Sequence, residues 1–179
     1  ETNGALPNAL TELDIAGIIV VGILGDAYLG IIKKTQIPIV TADTYNRSLK
    51  FPAVVTSNIE NGYAITEYLI KQGHKDIGFI GPIHTTSSFF DRWRGFISAM
   101  HFFNLPVKDE HCILDDQPLE HLGEKEEIEY ILGDLKSLPS AFVCANDIIA
   151  ISLINAFKEK NINVPADISL TGFDDIETA

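Results

Sequence analysis

Cysteine is scarce in this chain, and basic residues are outnumbered by acidic ones. Its two cysteines, Cys112 and Cys144, lie far apart, with no C-x-x-C spacing and no accompanying histidine pattern of metal-ligand type, so the spacings that mark metal or dithiol sites are missing. Thirteen Lys and Arg face 25 Asp and Glu, a formal net charge of −12. Such a surface repels phosphate backbones and anionic membranes, which argues against direct contact with nucleic acid. No apolar run approaches the roughly 18 residues needed to span a bilayer, and no basic segment followed by an apolar stretch opens the chain. That is compatible with the cytosol and equally with a processed secreted protein. The chain has no G-x-S-x-G elbow, no P-loop and no H-E-x-x-H, and Gly22-Ile23-Leu24-Gly25 lacks the G-x-G-x-x-G of a dinucleotide site. Catalysis and cofactor binding therefore have no motif to rest on. Internal repeats, low-complexity tracts and a Pro/Gly/Ser linker are absent too.

What is present reads as a folded α/β protein. A chain of 179 residues, 46% apolar and 21% charged, has an ordinary globular composition and can bury about 70% of its unfolded surface. Apolar runs at 18–21, 37–40, 53–55, 77–80, 141–144 and 168–170 alternate with helical stretches. Strands without polar alternation are buried on both faces, and with helices between them they predict a doubly wound parallel sheet. Four helices are legible. Ile65, Tyr68 and Leu69 share the apolar face of a helix running from about Glu60 to a stop at Gly73. Phe96, Ala99, Met100 and Phe103 mark a second. Ile128, Ile131, Leu132 and Leu135 mark a third, with Glu124, Glu126, Glu127 and Glu129 near its positive end. Ile149, Leu153, Ile154 and Phe157 mark a fourth, with Asn161 as its stop and Pro165 beyond.

Polar side chains at strand ends are the candidates for chemistry, because ligands of open α/β sheets bind outside the carboxyl ends of the strands. Asp43 follows the strand that ends near Ala42, and Asp174 and Asp175 follow Ile168-Ser169-Leu170 and a Gly-Phe turn. Asn146, after the Cys144 strand, can donate and accept at once. Arg92 opens a helix after a polar Thr85-Thr86-Ser87-Ser88 loop, and its planar fork can donate two parallel hydrogen bonds. Plainer readings stand beside these. Asn146 or Asp147 can cap the next helix, Asp43 can be a turn residue with Thr44 and Asn46, and Arg92 and Arg94 can be solvated helix charges. A metal at Asp174 and Asp175 lacks a third ligand at usable spacing. Cys144 reads as a small core residue, Trp93 as a packing residue, and the five histidines as surface or packing residues.

Four blocks, in order and at family-like spacing, carry a resemblance. Leu69-Ile70-Lys71-Gln72-Gly73-His74-Lys75-Asp76-Ile77-Gly78-Phe79-Ile80-Gly81, Arg92-Trp93-Arg94-Gly95-Phe96, Ala145-Asn146-Asp147-Ile148-Ile149-Ala150 and Val164-Pro165-Ala166-Asp167-Ile168-Ser169-Leu170-Thr171-Gly172-Phe173-Asp174-Asp175 resemble blocks of the ligand-binding domain of the lactose-repressor (LacI/GalR) family. The resemblance implies two Rossmann-like lobes with parallel sheets, the periplasmic-binding-protein-like type I fold. Residues 1–56 would belong to an N-terminal lobe and 57–179 to most of a C-terminal lobe, with the first crossing near Thr56-Ser57-Asn58. It implies a chain that is incomplete at both ends, since family members carry further strands and helices on either side and an N-terminal helix-turn-helix.

Function follows from the same resemblance: an effector domain, not an enzyme, binding a sugar or related metabolite between its lobes. Asp43, Arg92, Asn146 and Asp174 would form that site, with Thr86 and Ser88 as further polar contacts. Acceptors, a fork donor and an amide suit a neutral polyol better than an anion or an apolar ligand. Around Asp115-Asp116-Gln117-Pro118 the family often supplies a ring that stacks on the ligand, and this chain has none there. The implied regulator is a cytoplasmic homodimer that reaches DNA only through the helix-turn-helix, without cofactor, metal or membrane. The alternative on the same fold is an extracytoplasmic sugar-binding protein of a transporter.

An acidic chain without the helix-turn-helix of the family should not select duplex DNA at physiological salt. A gel shift with this chain alone should show no sequence-selective complex, and a selective complex would contradict the reading.

Overall fold

The computed structural model of the chain describes residues 6–22, 24–46, 48–114, 132–133 and 137–177. The chain divides after Thr56 into two compact units, each built on its own parallel sheet.

The first unit runs α1 (Asn8–Glu12), β1 (Ile18–Val21), α2 (Asp26–Lys33), β2 (Ile39–Ala42) and β3 (Ala53–Val54). Its strands lie in the order β1-β2-β3, with Ile18 opposite Ile39 and Thr41 opposite Ala53. Val20 and Ile39 pack with Leu29 and Ile32 of α2 into a small core. The other face is bare among the described residues, with Ile19 74%, Val21 75% and Val54 69% exposed. The expectation of strands buried on both faces therefore fails here. A four-residue apolar run does not reveal whether helices cover one face of its sheet or two. The second strand also starts later than expected, at Ile39, where Pro38 contributes only its carbonyl, accepting from Ile18 N at 2.8 Å.

The second unit runs α3 (Asn58–Lys71), β4 (Ile77–Ile80), α4 (Ser87–Phe102), a 3-10 turn (Asp109–His111), β5 (Cys112–Ile113), β6 (Ala141–Cys144), α5 (Asp147–Glu159) and β7 (Ser169–Thr171). Its strand order is β5-β4-β6-β7, with every pairing parallel. Every residue of β4 and β6 is buried, as their unbroken apolar runs predict. Phe79, Phe142, Phe96, Phe157 and Leu153 form the centre of this core. The chain steps from β4 to β5 on one side and then returns to place β6 on the other. The crevice at the carboxyl ends of β4 and β6 is thus a topological switch point, where open sheets bind ligands.

The helices depart from expectation in detail. α3 begins at Asn58, a turn edge earlier than Glu60, and stops before Gly73, whose φ of 104° only a residue without a Cβ adopts freely. Leu69 is buried, but Tyr68 is 58% exposed, and on α5 Ile149, Leu153 and Phe157 are buried while Ile154 is exposed. Both exceptions sit at the edge of an apolar arc read as wider than it is. Asn161 closes the turn after α5 at φ 58°. α1, α2 and β5 are too short for apolar periodicity to reveal them. The expected third helix lies outside the described residues except for Leu132, which packs on the second core, and Asp115 to Pro118 lie outside them as well.

The amino end of the second sheet is tied by Asp76, which accepts from Lys108 at 2.6 Å and meets His111 at 2.9 Å. Burial pushes its carboxyl up, but those hydrogen bonds and charges outweigh it and hold the group below the usual carboxylate range. Burial pushes the Cys112 thiol up to about 11 and raises that of Cys144 as well, which suits inert packing residues.

Glycine sets the crossing of α3 and α4. A Cβ on Gly62 would run into the backbone carbonyl of Arg92, and one on Gly95 into the carbonyl of Ile59 and, at 2.6 Å, the backbone N of Tyr63. Helix propensity alone favours Gly95→Ala by up to ~1 kcal/mol, whereas overpacking against a backbone that cannot turn aside costs about 1–3 kcal/mol. Urea unfolding of Gly95→Ala should show a net loss of stability; a higher midpoint would mean that the helices are free to part.

Candidate functional site

The carboxyl edge of the second sheet is organised by one buried cation. Thr86 caps α4 by accepting from Phe89 N at 3.0 Å. Arg92 therefore sits in the second turn of the helix rather than opening it, and there it is only 4% exposed. A buried charge costs several kcal/mol unless it is paired and hydrogen-bonded. Arg92 donates from Nε to Asn58 Oδ1 at 2.9 Å, from Nη1 to the Ala145 carbonyl at 2.7 Å and from Nη2 to Asp174 Oδ1 at 2.9 Å. The Phe173 ring covers the guanidinium at 4.4 Å, and Phe89 approaches it from its own helix at 5.8 Å. The reading of Arg92 as a solvated charge is overturned. Arg94 fits it instead, 52% exposed and paired within the helix to Asp91 at 3.2 Å.

Asp174 reaches Arg92 because the chain after β7 turns through two left-handed residues, Asp174 at φ 99° and Asp175 at φ 51°. Its side chain stays 44% exposed, so one carboxylate oxygen holds the arginine and the other remains an acceptor. Asn146, next to the carbonyl that Arg92 binds, caps α5 by accepting from Ile149 N at 3.0 Å. The capping alternative is realised, and the group Asn146 can offer a ligand is its amide NH2. Thr86 spends its oxygen on the cap of α4, and Ser88 is buried in the first turn of that helix. Beside the loop after β7 lies a hollow of about 430 Å³, lined by Asn61 and Ile65 of α3 and by Asp147, Phe173, Asp174 and Asp175 among others.

The structure thus brings Arg92 and Asp174 into contact and puts Asn146 one residue from an Arg92 acceptor. Asp43 belongs to the first unit. It follows β2 at φ 64°, donates its N–H to the Val54 carbonyl at 2.8 Å and accepts from Thr56 Oγ1 at 3.2 Å. Asn58 and Phe173 were missed as partners of Arg92. A Gly-Phe turn beside paired carboxylates is visible in the sequence, but that a ring there would lie on a guanidinium is not. Chemically, the edge offers a guanidinium neutralised by a carboxylate, a half-exposed acceptor and an amide donor. Such a set can hydrogen-bond neutral hydroxyls without demanding a charged ligand. Among the described residues there is no group of three or more His, Cys, Asp or Glu that could hold a metal ion, and no helix long and apolar enough to cross a membrane.

Residues 66–179 match the family described as periplasmic binding protein-like domain. The chain is 36% identical over 145 residues to the HTH-type transcriptional repressor PurR of Actinobacillus pleuropneumoniae serotype 3 (strain JL03), covering 81% of this chain and 42% of that protein. The chain therefore spans less than half the length of this relative. A transcription regulator from Lactobacillus plantarum superposes with a TM-score of 0.79 at 22% identity, covering 94% of this chain and 62% of the other. A sugar-binding transcriptional regulator (LacI family) from Escherichia coli, complexed with phosphate, superposes with a TM-score of 0.73 at 24% identity, covering 96% of this chain and 62% of the other.

Proposed function

Because the chain belongs to the periplasmic binding protein-like domain family, we propose that it is the effector-binding part of a LacI/GalR-type transcriptional regulator. The similarity to a PurR repressor at 36% identity supports a regulator over the extracytoplasmic binding protein of a transporter, which the fold alone would also allow. The carrying observation is the Arg92–Asp174 pair at 2.9 Å, a buried donor and a half-exposed acceptor at the switch point of the second sheet.

In this reading the effector is a sugar or related small metabolite. Arg92 and Asp174 fix its hydroxyls, Asn146 adds its NH2, and Thr86 and Ser88 support the rim; Asp43, in the first unit, is a further candidate for ligand contact. Residues 1–56 are part of the N-terminal lobe and 57–179 most of the C-terminal lobe, with the first crossing near 56–58. The protein binds rather than transforms its ligand. The full-length regulator works in the cytoplasm as a homodimer and meets DNA through a helix-turn-helix outside this sequence. Effector and DNA are coupled to the extent that the ligand binds one arrangement of the regulator more tightly than the other.

Hydrogen bonds to charged groups are worth about 1.5–3 kcal/mol each. After a thermal-shift screen of neutral sugars on the full-length protein, calorimetric titration should find Arg92→Ala and Asp174→Asn weakened about tenfold or more. Arg94→Ala should bind within about twofold of wild type, since it makes only a surface pair. Wild-type affinity in both site variants would remove Arg92 and Asp174 from the binding site.

A further inference from the structure

The loop after β7 carries the acceptor of the proposed site, and its own anchor is a carboxylate that the site does not use. Asp147, the first residue of α5, is 7% exposed. A carboxylate in the first turn of a helix is ordinarily a solvated partner of the helix dipole. This one is turned inward onto a segment 29 residues further along the chain. Its Oδ2 accepts from Ile176 N at 3.1 Å, and its backbone N donates to the Phe173 carbonyl at 2.8 Å. The two bonds bracket Asp174 and Asp175, the two residues held at positive φ, a conformation that non-glycine residues keep only where surrounding structure imposes it. The fit is close on the other side as well: a Cβ on Gly172 would collide with Asp147 Oδ1 and come within 3.1 Å of its Cα.

We infer that Asp147 is a positioning residue for the Arg92–Asp174 pair. It clamps both ends of the left-handed turn, and so delivers the Asp174 carboxylate and the Phe173 ring to the Arg92 guanidinium, without touching ligand itself. The consequence for affinity rests on the function proposed above; the clamp itself does not. Because the clamp is an acceptor rather than a required charge, an amide can replace it: the oxygen of Asn can still take the Ile176 N–H, and Ala cannot.

The experiment is amide hydrogen exchange on the full-length protein without ligand, followed by titration with whichever neutral sugar the screen yields. Asp147→Ala should speed exchange at Ile176 at least tenfold while exchange in β6 and the last turns of α5 stays at wild-type rates, and should weaken sugar binding about tenfold. Asp147→Asn should restore both to within about threefold of wild type. If Asp147→Ala does not fold, Gly172→Ala, which presses on the same carboxylate, must loosen Ile176 to a similar degree. Wild-type exchange at Ile176 in the altered protein, or equal acceleration throughout α5 and β6, would overturn the inference. If wild type binds none of the sugars, the proposed function falls, and the exchange measurement still decides the clamp.

Discussion

A guanidinium removed from water has to find its acceptors in the fold, and the second unit is arranged around Arg92 doing so. Its acceptors come from the start of α3, the end of β6 and the loop after β7. One side chain of α4 therefore fixes where three other segments stand. Removing a partner of a buried ion costs more than the pair contributes, because the remaining charge is left unsatisfied. Asp174 is 44% exposed, so water can replace part of what it gives. Asn58 is 5% exposed and has no such substitute. The arginine is thus tied firmly to α3 and β6 and more loosely to Asp174.

That arrangement depends on how closely two helices approach. Gly62 faces the backbone of Arg92 itself, and Gly95 faces Ile59 and Tyr63 one turn further along. Without side chains at these two positions α3 lies near enough for Asn58 to reach Nε. The aromatic packing of Phe79, Trp93 and Phe96, with ring centroids 5.1 to 5.6 Å apart, ties α4 to β4 of the sheet. Trp93 stacks there as a packing residue. The polar edge is consequently held both by the packed core beneath it and by hydrogen bonds.

Sequence periodicity exposed β4, β6, α3, α4 and α5, because fully buried central strands and the helices packed on them leave strong apolar patterns. It misjudged the first sheet, where a run of four apolar residues looks alike with one or two faces covered. It passed over β5, two residues long, and α1, five residues long. At the site, Arg92 and Asp174 were legible through their motifs, and Asn146 through its place after a strand. Their mutual geometry was not. Arg92 and Asp174 are 82 positions apart, and no local pattern states that Asn58 or the Phe173 ring completes the same knot. Asn146 carries two meanings at once, since a strand-end ligand group and a helix cap prefer the same residue at the same place.

Arg92 and Asp174 act as one unit. Urea unfolding of Arg92→Met, Asp174→Ala and the double variant tests this most directly, through the coupling between the two changes. The expected coupling is on the order of 1 kcal/mol, discounted for the exposure of Asp174. Additive losses, within about 0.3 kcal/mol, would mean that the pair contributes nothing as a pair and that the organisation of this edge rests elsewhere.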